Sequence, residues 1–343
     1  INTGLKKGVT NALQQVPVMG DRMIEHIRKT KSSIKQLVVP GMFFEDMGIT
    51  YLGPIPGHNL PMLCKALKEA KKVEGPVLLH VMTTKGKGYE PAETAPDKFH
   101  GIGPFDIESG KVLAKKDGDT YTDVFGKVLC DEASRNPDIV AITAAMADGT
   151  GLARFKKHYP NRFFDVGIAE EHGVTFAAGL AAGGLKPVFA VYSSFLQRGY
   201  DQLIHDVALQ NLPVVFGVDR AGLVGSDGET HQGIFDLSFL SNIPNMTVMS
   251  PKNKWELADM LRFALQMNSP VAIRYPRGKA YDGYEGCRER ISYGKSEWIF
   301  EGKEIAILSV GHMFEEAVKT RDKLIEQGYE PTLINMRFIK PID

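Results

Sequence analysis

The sequence predicts an α/β protein: a doubly wound, mostly parallel sheet with helices on both faces, flanked by partial α/β domains. Three observations carry this reading. From residue 121 onward, short runs rich in Val, Ile and Phe alternate with segments of helical periodicity. Several of those runs are apolar at every position, the pattern of strands covered on both faces rather than one. And the polar residues with chemical potential stand just after the runs, where open α/β sheets bind their ligands.

Taken in order, residues 1–36 are locally basic, and Met23, Ile24, Ile27, Ile34 and Leu37 have the spacing of an amphipathic helix with a solvated basic face. A strand–helix–strand rhythm follows: a strand at 49–52, a helix over 60–72, and a buried strand at 76–82 (P-V-L-L-H-V-M). His80 within that strand reads as a hydrogen-bonded core histidine. Residues 83–120 are rich in Gly, Pro and charge with little periodicity, which suits a crossing linker or an active-site loop. The regular alternation then gives helices at 122–134, 152–158, 170–182, 195–210 and 254–267. Between them come strands at 139–143, 163–166, 187–192, 213–218, 246–249 and 271–275. A polar stretch, 278–303, leads to a last strand–helix–strand at 305–310, 314–327 and 332–335, which reads as a βαβ start cut off before it makes a domain.

At 343 residues the chain has room for two or three domains. Its 41 basic and 41 acidic residues cancel, which argues against a dedicated nucleic-acid binder or a protein held to an anionic membrane by bulk charge. Cys64, Cys130 and Cys287 are far apart and form no paired motif, so neither a disulfide framework nor a zinc site is expected, and a reducing, cytoplasmic setting fits. Apolar runs are short and broken by charge, and the first residues lack the core of a signal peptide. The chain begins at Ile1 and stops at K-P-I-D, and it reads as truncated at both ends.

Four consecutive strand ends carry the candidate site. After the 163–166 strand come Glu170 and Glu171; after 187–192 come Tyr192, Phe195 and Arg198; after 213–218 come Asp219, Arg220, Asp227 and His231; after 271–275 comes Arg277. Arginine pairs bidentately with phosphate or carboxylate, so Arg220 and Arg277 together suggest an anion clamp. Any one arginine after a strand is more often a surface ion pair, and Glu170 alone would suit a helix N-terminus. Their coincidence at four strand ends points to a site without naming its ligand. The loop 222–233 (G-L-V-G-S-D-G-E-T-H-Q-G) combines permissive glycines with Asp227 and His231, a pattern that approaches ligands closely. No His, Asp or Glu pair has a metal-ligand spacing.

The motifs resemble those of the 1-deoxy-D-xylulose-5-phosphate synthase family of thiamine-diphosphate enzymes. The resemblance rests on I-T-A-A-M-A-D-G-T-G-L at 142–152, F-D-V-G-I-A-E-E-H-G-V-T-F-A-A-G-L at 164–180 and Y-S-S-F-L-Q-R-G-Y-D-Q-L-I-H-D at 192–206. It rests also on D-R-A-G-L-V-G-S-D-G-E-T-H-Q-G-I-F-D-L at 219–237, R-Y-P-R-G at 274–278, G-K-G-Y at 86–89, P-A-E at 91–93 and F-H-G at 99–101. It implies a transketolase-like organisation. Residues 1–117 would be the remainder of a diphosphate-binding domain with its linker, 118–295 a pyrimidine-binding domain, and 296–343 the start of a transketolase C-terminal-like domain. It implies decarboxylation of pyruvate and transfer of the two-carbon unit to D-glyceraldehyde 3-phosphate, a step toward isoprenoid, thiamine and pyridoxal precursors, by a cytoplasmic homodimer.

Residue roles come with the resemblance. Glu170 matches the glutamate that hydrogen-bonds the cofactor's aminopyrimidine, and Phe195 the aromatic that stacks on it. Tyr192, Arg220 and Arg277 match groups that hold the acceptor and its phosphate; Arg198, Asp227 and His231 match the polar wall around pyruvate, where proton transfer is needed. Lys85 and His100 match first-domain residues near cofactor and substrates. Two departures stand out. The turn 53–60 (G-P-I-P-G-H-N-L) has Pro56 and Asn59 where the family usually has acids, so no role is assigned to it. The Gly-Asp-Gly…Asn pattern that holds Mg2+ and diphosphate in such enzymes is absent from the 343 residues, so this chain alone is expected to be inactive. A non-catalytic half of a split enzyme, completed by a partner chain, is the alternative.

Overall fold

The computed structural model describes residues 42–113 and 118–343, and it separates into two compact units, Ile1–Lys115 and Lys116–Asp343. The basic segment 1–36, with its expected amphipathic helix, lies outside the described residues.

In the first unit a short helix, α1 (Met42–Asp46), precedes β1 (Thr50–Pro56), and helix α2 (Leu60–Ala70) connects β1 to the parallel β2 (Val77–Met82). Helix α2 begins where it does because the Asn59 side chain accepts the Met62 amide at 3.2 Å and Pro61 needs no donor partner in the first turn. Strand β2 is half-buried rather than buried, since among the described residues it pairs only with β1. His80 is satisfied as expected: its Nδ1 meets the Tyr51 hydroxyl at 2.6 Å. The stretch expected to be irregular contains a short helix, α3 (Glu90–Thr94). It is organised by an aromatic cluster in which Tyr89, Phe99 and Phe105 lie 5.4–6.0 Å apart, centroid to centroid.

The second unit is built on a seven-stranded sheet. Helix α4 (Tyr121–Arg135) leads into β3 (Ile139–Thr143), then α5 (Ala153–His158), β4 (Phe163–Asp165), α6 (Glu170–Ala182) and β5 (Lys186–Tyr192). A broken helical run follows, opening with α7 (Ser193–Leu196), and then come β6 (Val215–Asp219), α8 (Asp236–Asn242), β7 (Thr247–Met249), α9 (Lys254–Ala264) and β8 (Val271–Arg274). In space β4, β3, β5, β6, β8 and β7 lie side by side, all parallel. Alternate strand residues feed two cores. Val188, Ala190 and Val215 pack with Phe125 and Leu129 of α4 and Leu257 and Leu261 of α9. Phe189, Val191, Phe216 and Val218 pack with Val174 and Ala177 of α6, Leu203 and Leu240. Helices on both faces explain the continuously apolar strands.

The structure departs from the sequence reading in two places here. The single helix expected over 195–210 is an α-turn, a 3-10 turn at Gln197–Gly199, another α-turn and a π-helical stretch at Leu203–Ala208. The break falls where the run crosses α6 closely: a Cβ on Gly199 would stand 2.9 Å from Val174 Cγ2. The carboxyl-terminal segment is also more than one βαβ. The polar stretch holds β9 (Glu297–Phe300), which pairs antiparallel with β11 (Pro331–Asn335); β11 is parallel to β10 (Ile305–Ser309) through helix α10 (Phe314–Glu326). The chain then returns to the large sheet, where β12 (Phe338–Lys340) adds an antiparallel seventh strand beside β7.

Candidate active site

The chain runs outward from β3 to β4 on one side and from β5 to β6 on the other, so the sheet reverses direction between β3 and β5. At such a switch point the carboxyl-end loops diverge and leave a crevice. The eight candidate residues at the four strand ends of the second unit are joined there in one connected cluster.

Glu170 is the first residue of α6 and only 2 % exposed, yet its carboxylate takes the Arg198 guanidinium at 2.7 Å on one oxygen, Oε1. The helix N-terminus favours the negative charge. The Arg198 guanidinium carbon stands 4.9 Å from the centroid of the Phe195 ring, and Phe195 lies 5.1 Å from the His231 ring and 5.7 Å from Tyr192, nearly parallel to the latter. Tyr192 carries Arg220 on its face at 4.0 Å. Arg220 Nε then faces Asp227 Oδ2 at 3.6 Å, and Asp227 Oδ1 accepts from Arg277. Arg220 and Arg277, the pair expected to form an anion clamp, thus both face the Asp227 carboxylate, which lies between them. Burial pushes the Tyr192 hydroxyl above its ordinary range, with Arg220 opposing the shift. His231 is half-buried, its Nδ1 3.0 Å from the Thr230 hydroxyl.

Lys85 and His100 belong to the first unit, both exposed in turns. Next to Lys85, the Thr84 amide donates to His58 Nε2 at 2.7 Å, so the turn to which no role was assigned helps set the start of the G-K-G segment. Among the described residues no group of three or more His, Cys, Asp and Glu could hold a metal ion.

Three supports have no role assigned from the sequence. Asp219, fully buried at the end of β6, accepts the Thr122 hydroxyl at 2.7 Å on Oδ2, and on Oδ1 the Arg220 amide at 2.7 Å and the Arg220 guanidinium at 3.0 Å. Burial raises its carboxyl to about 6 against the pull of Arg220 and Thr122. Gly149, in the loop after β3, offers its carbonyl to Arg220, and a Cβ there would fall 1.8 Å from the Tyr192 hydroxyl. Asp219 stood visibly at the strand end. Thr122, 97 positions away, gave no local signal.

Comparison with known proteins covers nearly the whole chain. Residues 2–83 match the family model for 1-deoxy-D-xylulose-5-phosphate synthase, 118–281 that for the transketolase pyrimidine binding domain, and 294–343 that for the transketolase C-terminal domain. The chain is 56 % identical over 338 residues to the 1-deoxy-D-xylulose-5-phosphate synthase of Lachnoclostridium phytofermentans, covering 98 % of this chain and 54 % of that protein. It is 54 % identical over 339 residues to the enzyme of the same name from Caldanaerobacter subterraneus subsp. tengcongensis, covering 99 % and 54 %. The chain thus spans about half the length of the curated relatives it matches. Among solved structures it resembles a split-gene transketolase, described as an inactive beta4 tetramer (28 % identity, TM-score 0.60, 66 % of this chain and 74 % of that one). It shares the fold of Pichia stipitis transketolase crystallised with sedoheptulose 7-phosphate (17 % identity, TM-score 0.59, 65 % and 35 %). By motifs, sheet and sequence identity together, the chain belongs to the transketolase-like 1-deoxy-D-xylulose-5-phosphate synthase family.

Proposed function

We propose that this chain contributes the pyrimidine-binding half and the acceptor site of a thiamine-diphosphate-dependent 1-deoxy-D-xylulose-5-phosphate synthase. The reaction joins a two-carbon unit from pyruvate to D-glyceraldehyde 3-phosphate with loss of carbon dioxide. The observation that carries this reading is the unbroken series of contacts from Glu170 through Arg198, Phe195, His231, Tyr192 and Arg220 to Asp227 and Arg277. It sets a carboxylate and a flat aromatic face at one end and a paired guanidinium site at the other.

The residues present suit the cofactor's pyrimidine. Glu170 is withdrawn from water with one oxygen engaged by Arg198, a side chain 45 % exposed and so able to turn away. Thiamine diphosphate, when bound, supplies the carbon nucleophile that the protein lacks. Glu170 would accept or share a proton at a ring nitrogen, and Phe195 would orient the ring. Arg220 and Arg277 would take the acceptor's phosphate, with Tyr192 backing the Arg220 guanidinium. Asp227 and His231, beside them, would exchange protons with the carbonyl and hydroxyl of the bound acceptor, and Arg198 would face the pyruvate carboxylate. The domain division that accompanies this is 1–117, 118–295 and 296–343, with Lys85 and His100 serving cofactor and substrate from the first domain. Mg2+, a cytoplasmic location and a homodimer belong to the same proposal. No helix among the described residues is long and apolar enough to cross a membrane.

A second reading, that the chain works as one subunit of a split enzyme, is favoured by its structural likeness to a split-gene transketolase. The Gly-Asp-Gly pattern is missing in either case, so the isolated chain should not turn over pyruvate with glyceraldehyde 3-phosphate. The test is a chimera in which residues 118–281 replace the matching segment of the Lachnoclostridium phytofermentans relative. Glu170→Ala should abolish its activity, and Arg220→Ala should raise KM for glyceraldehyde 3-phosphate at least about tenfold with little change for pyruvate. An active Glu170→Ala chimera, or turnover by the isolated chain, refutes the assignment.

A further inference from the structure

Arg220 has φ +58°, a left-handed conformation that residues with a Cβ rarely adopt outside Asn and Asp. A bulky residue stays there only where its surroundings over-determine it. The surroundings are specific. The Arg220 amide and its own guanidinium both donate to Asp219 Oδ1, at 2.7 and 3.0 Å, while the next amide, of Ala221, donates to the Tyr275 carbonyl at 3.0 Å. Asp219 is itself held: it is fully buried, it stands opposite Tyr192 in the β5–β6 register, and its second oxygen takes the Thr122 hydroxyl from α4. Keeping a carboxylate out of water is costly, and a neutral or apolar residue would end the strand more cheaply.

We propose that Asp219 is the positioning residue of the anion site: one carboxylate oxygen gathers the main chain and the side chain of Arg220, fixing the left-handed turn that lays the guanidinium on Tyr192 and presents its Nε edge. The proposal rests on the reading of Arg220 and Arg277 as the acceptor's phosphate clamp, and it adds what makes that clamp rigid. It also carries an inverted pH dependence. Asp219 titrates near 6, so acidification should release Arg220 from its anchor and weaken anion binding. The other charged or titratable groups nearby are Arg220 itself, Tyr275 and Tyr192, both raised by burial, and, beyond Arg220, Asp227, Arg277 and His231. Protonating Asp227 or His231 would add positive charge and favour an anion, the opposite sign.

The probe is sulfate, a dianion that does not titrate in this range, and its affinity for the 343-residue chain is followed by calorimetry from pH 5 to 7.5. The wild-type chain should bind more weakly as pH falls through about 6. Asp219→Asn should bind about tenfold more weakly at pH 7.5, the worth of one charge-assisted hydrogen bond. Its affinity should also no longer fall on acidification. If Asp219 acted merely as a nearby negative charge, the same substitution would tighten sulfate, and that result overturns the proposal. Thr122→Val, which removes only the donor to Oδ2, should move the wild-type pH midpoint upward; an unmoved midpoint also overturns it, whether or not Asp219→Asn folds. Arg220→Ala and Arg277→Ala test the clamp separately. If they bind sulfate like wild type, the phosphate-site reading fails. If they lose it while Asp219→Asn does not, only the role of Asp219 fails.

Discussion

Lys252→Met is predicted to be among the most destabilising single changes in the second unit. Lys252 is 1 % exposed, and its ammonium contacts Glu256 at 3.3 Å and also Glu297, both themselves buried. Arg337 closes the group, bonding Glu256 at 2.7 Å and Glu297 at 2.9 Å, and the Asn335 amide adds bonds of 2.8 and 3.0 Å to Glu256. Two cations and two carboxylates thus cancel inside the protein. Removing one cation leaves two buried carboxylates sharing a single guanidinium, and breaking a buried pair in this way costs about 3–5 kcal/mol. For a unit of this size that lowers Tm by roughly 6–20 °C. The assay is thermal and urea unfolding of the full chain followed by far-UV circular dichroism. Combining Lys252→Met with Glu297→Gln restores neutrality and should recover about 1–3 kcal/mol of the single-mutant loss. A cost below about 1 kcal/mol, or strict additivity of the two changes, would refute the claim that the four charges act as a closed set.

Two further predictions concern the crevice. Asp219 has its folded-state carboxyl raised from 3.8 to about 6, so its contribution to stability is complete below 3.8 and is lost as pH rises through about 6. The loss amounts to about 3 kcal/mol. Urea unfolding of wild type and Asp219→Asn from pH 4.5 to 7.5 should therefore show the wild type losing about 2 kcal/mol relative to the variant as pH rises, and parallel curves would contradict the burial effect. Gly149→Ala places a methyl 1.8 Å from the Tyr192 hydroxyl, forcing the ring from its place between Phe195 and Arg220. The expected cost is about 1–3 kcal/mol of stability, with sulfate binding weakened in parallel. Adding Tyr192→Phe, which removes the clashing oxygen, should recover part of the stability, as read by the same melts.

The sheet was legible because its evidence is local. Val188 to Val191 and Val215 to Val218 are apolar at each position, and that alone places helices on both faces. The strand-end residues were legible for the same reason, since topology brings successive carboxyl ends to one edge whatever the loop lengths. Features set by distant partners were not legible. The break in the run after Phe195 depends on how closely Gly199 meets Val174 across two helices, and no periodicity within the run encodes it. Strand β12 joins the large sheet by pairing Phe338 with Met249, 89 positions earlier (338 − 249), although three residues of strand pattern would not attract notice alone. Asp219 looked like any acid after a strand until Thr122 and the left-handed Arg220 amide were found on its two oxygens.

On the proposed reading, the charges of the crevice show how a chain with no net charge would hold a phosphate. Glu170 is matched with Arg198, Asp219 with Arg220, and Asp227 with Arg277 while also facing Arg220, so three carboxylates and three guanidiniums balance without a ligand. An incoming anion therefore exchanges partners instead of meeting idle positive charge, and its affinity is the difference between two sets of charge-assisted bonds. On that reading, such an exchange favours a phosphate dianion, with its greater charge and additional acceptor oxygens, over a single carboxylate, which merely replicates what Asp227 already offers. On the proposed reading, discrimination between the phosphorylated acceptor and pyruvate would need no separate selectivity device at this end of the cluster. It requires only that Arg220 be held still while Asp227 gives way. The two arms differ in exposure: Arg220, 12 % exposed, is tied to a fully buried carboxylate, and Arg277 is 40 % exposed.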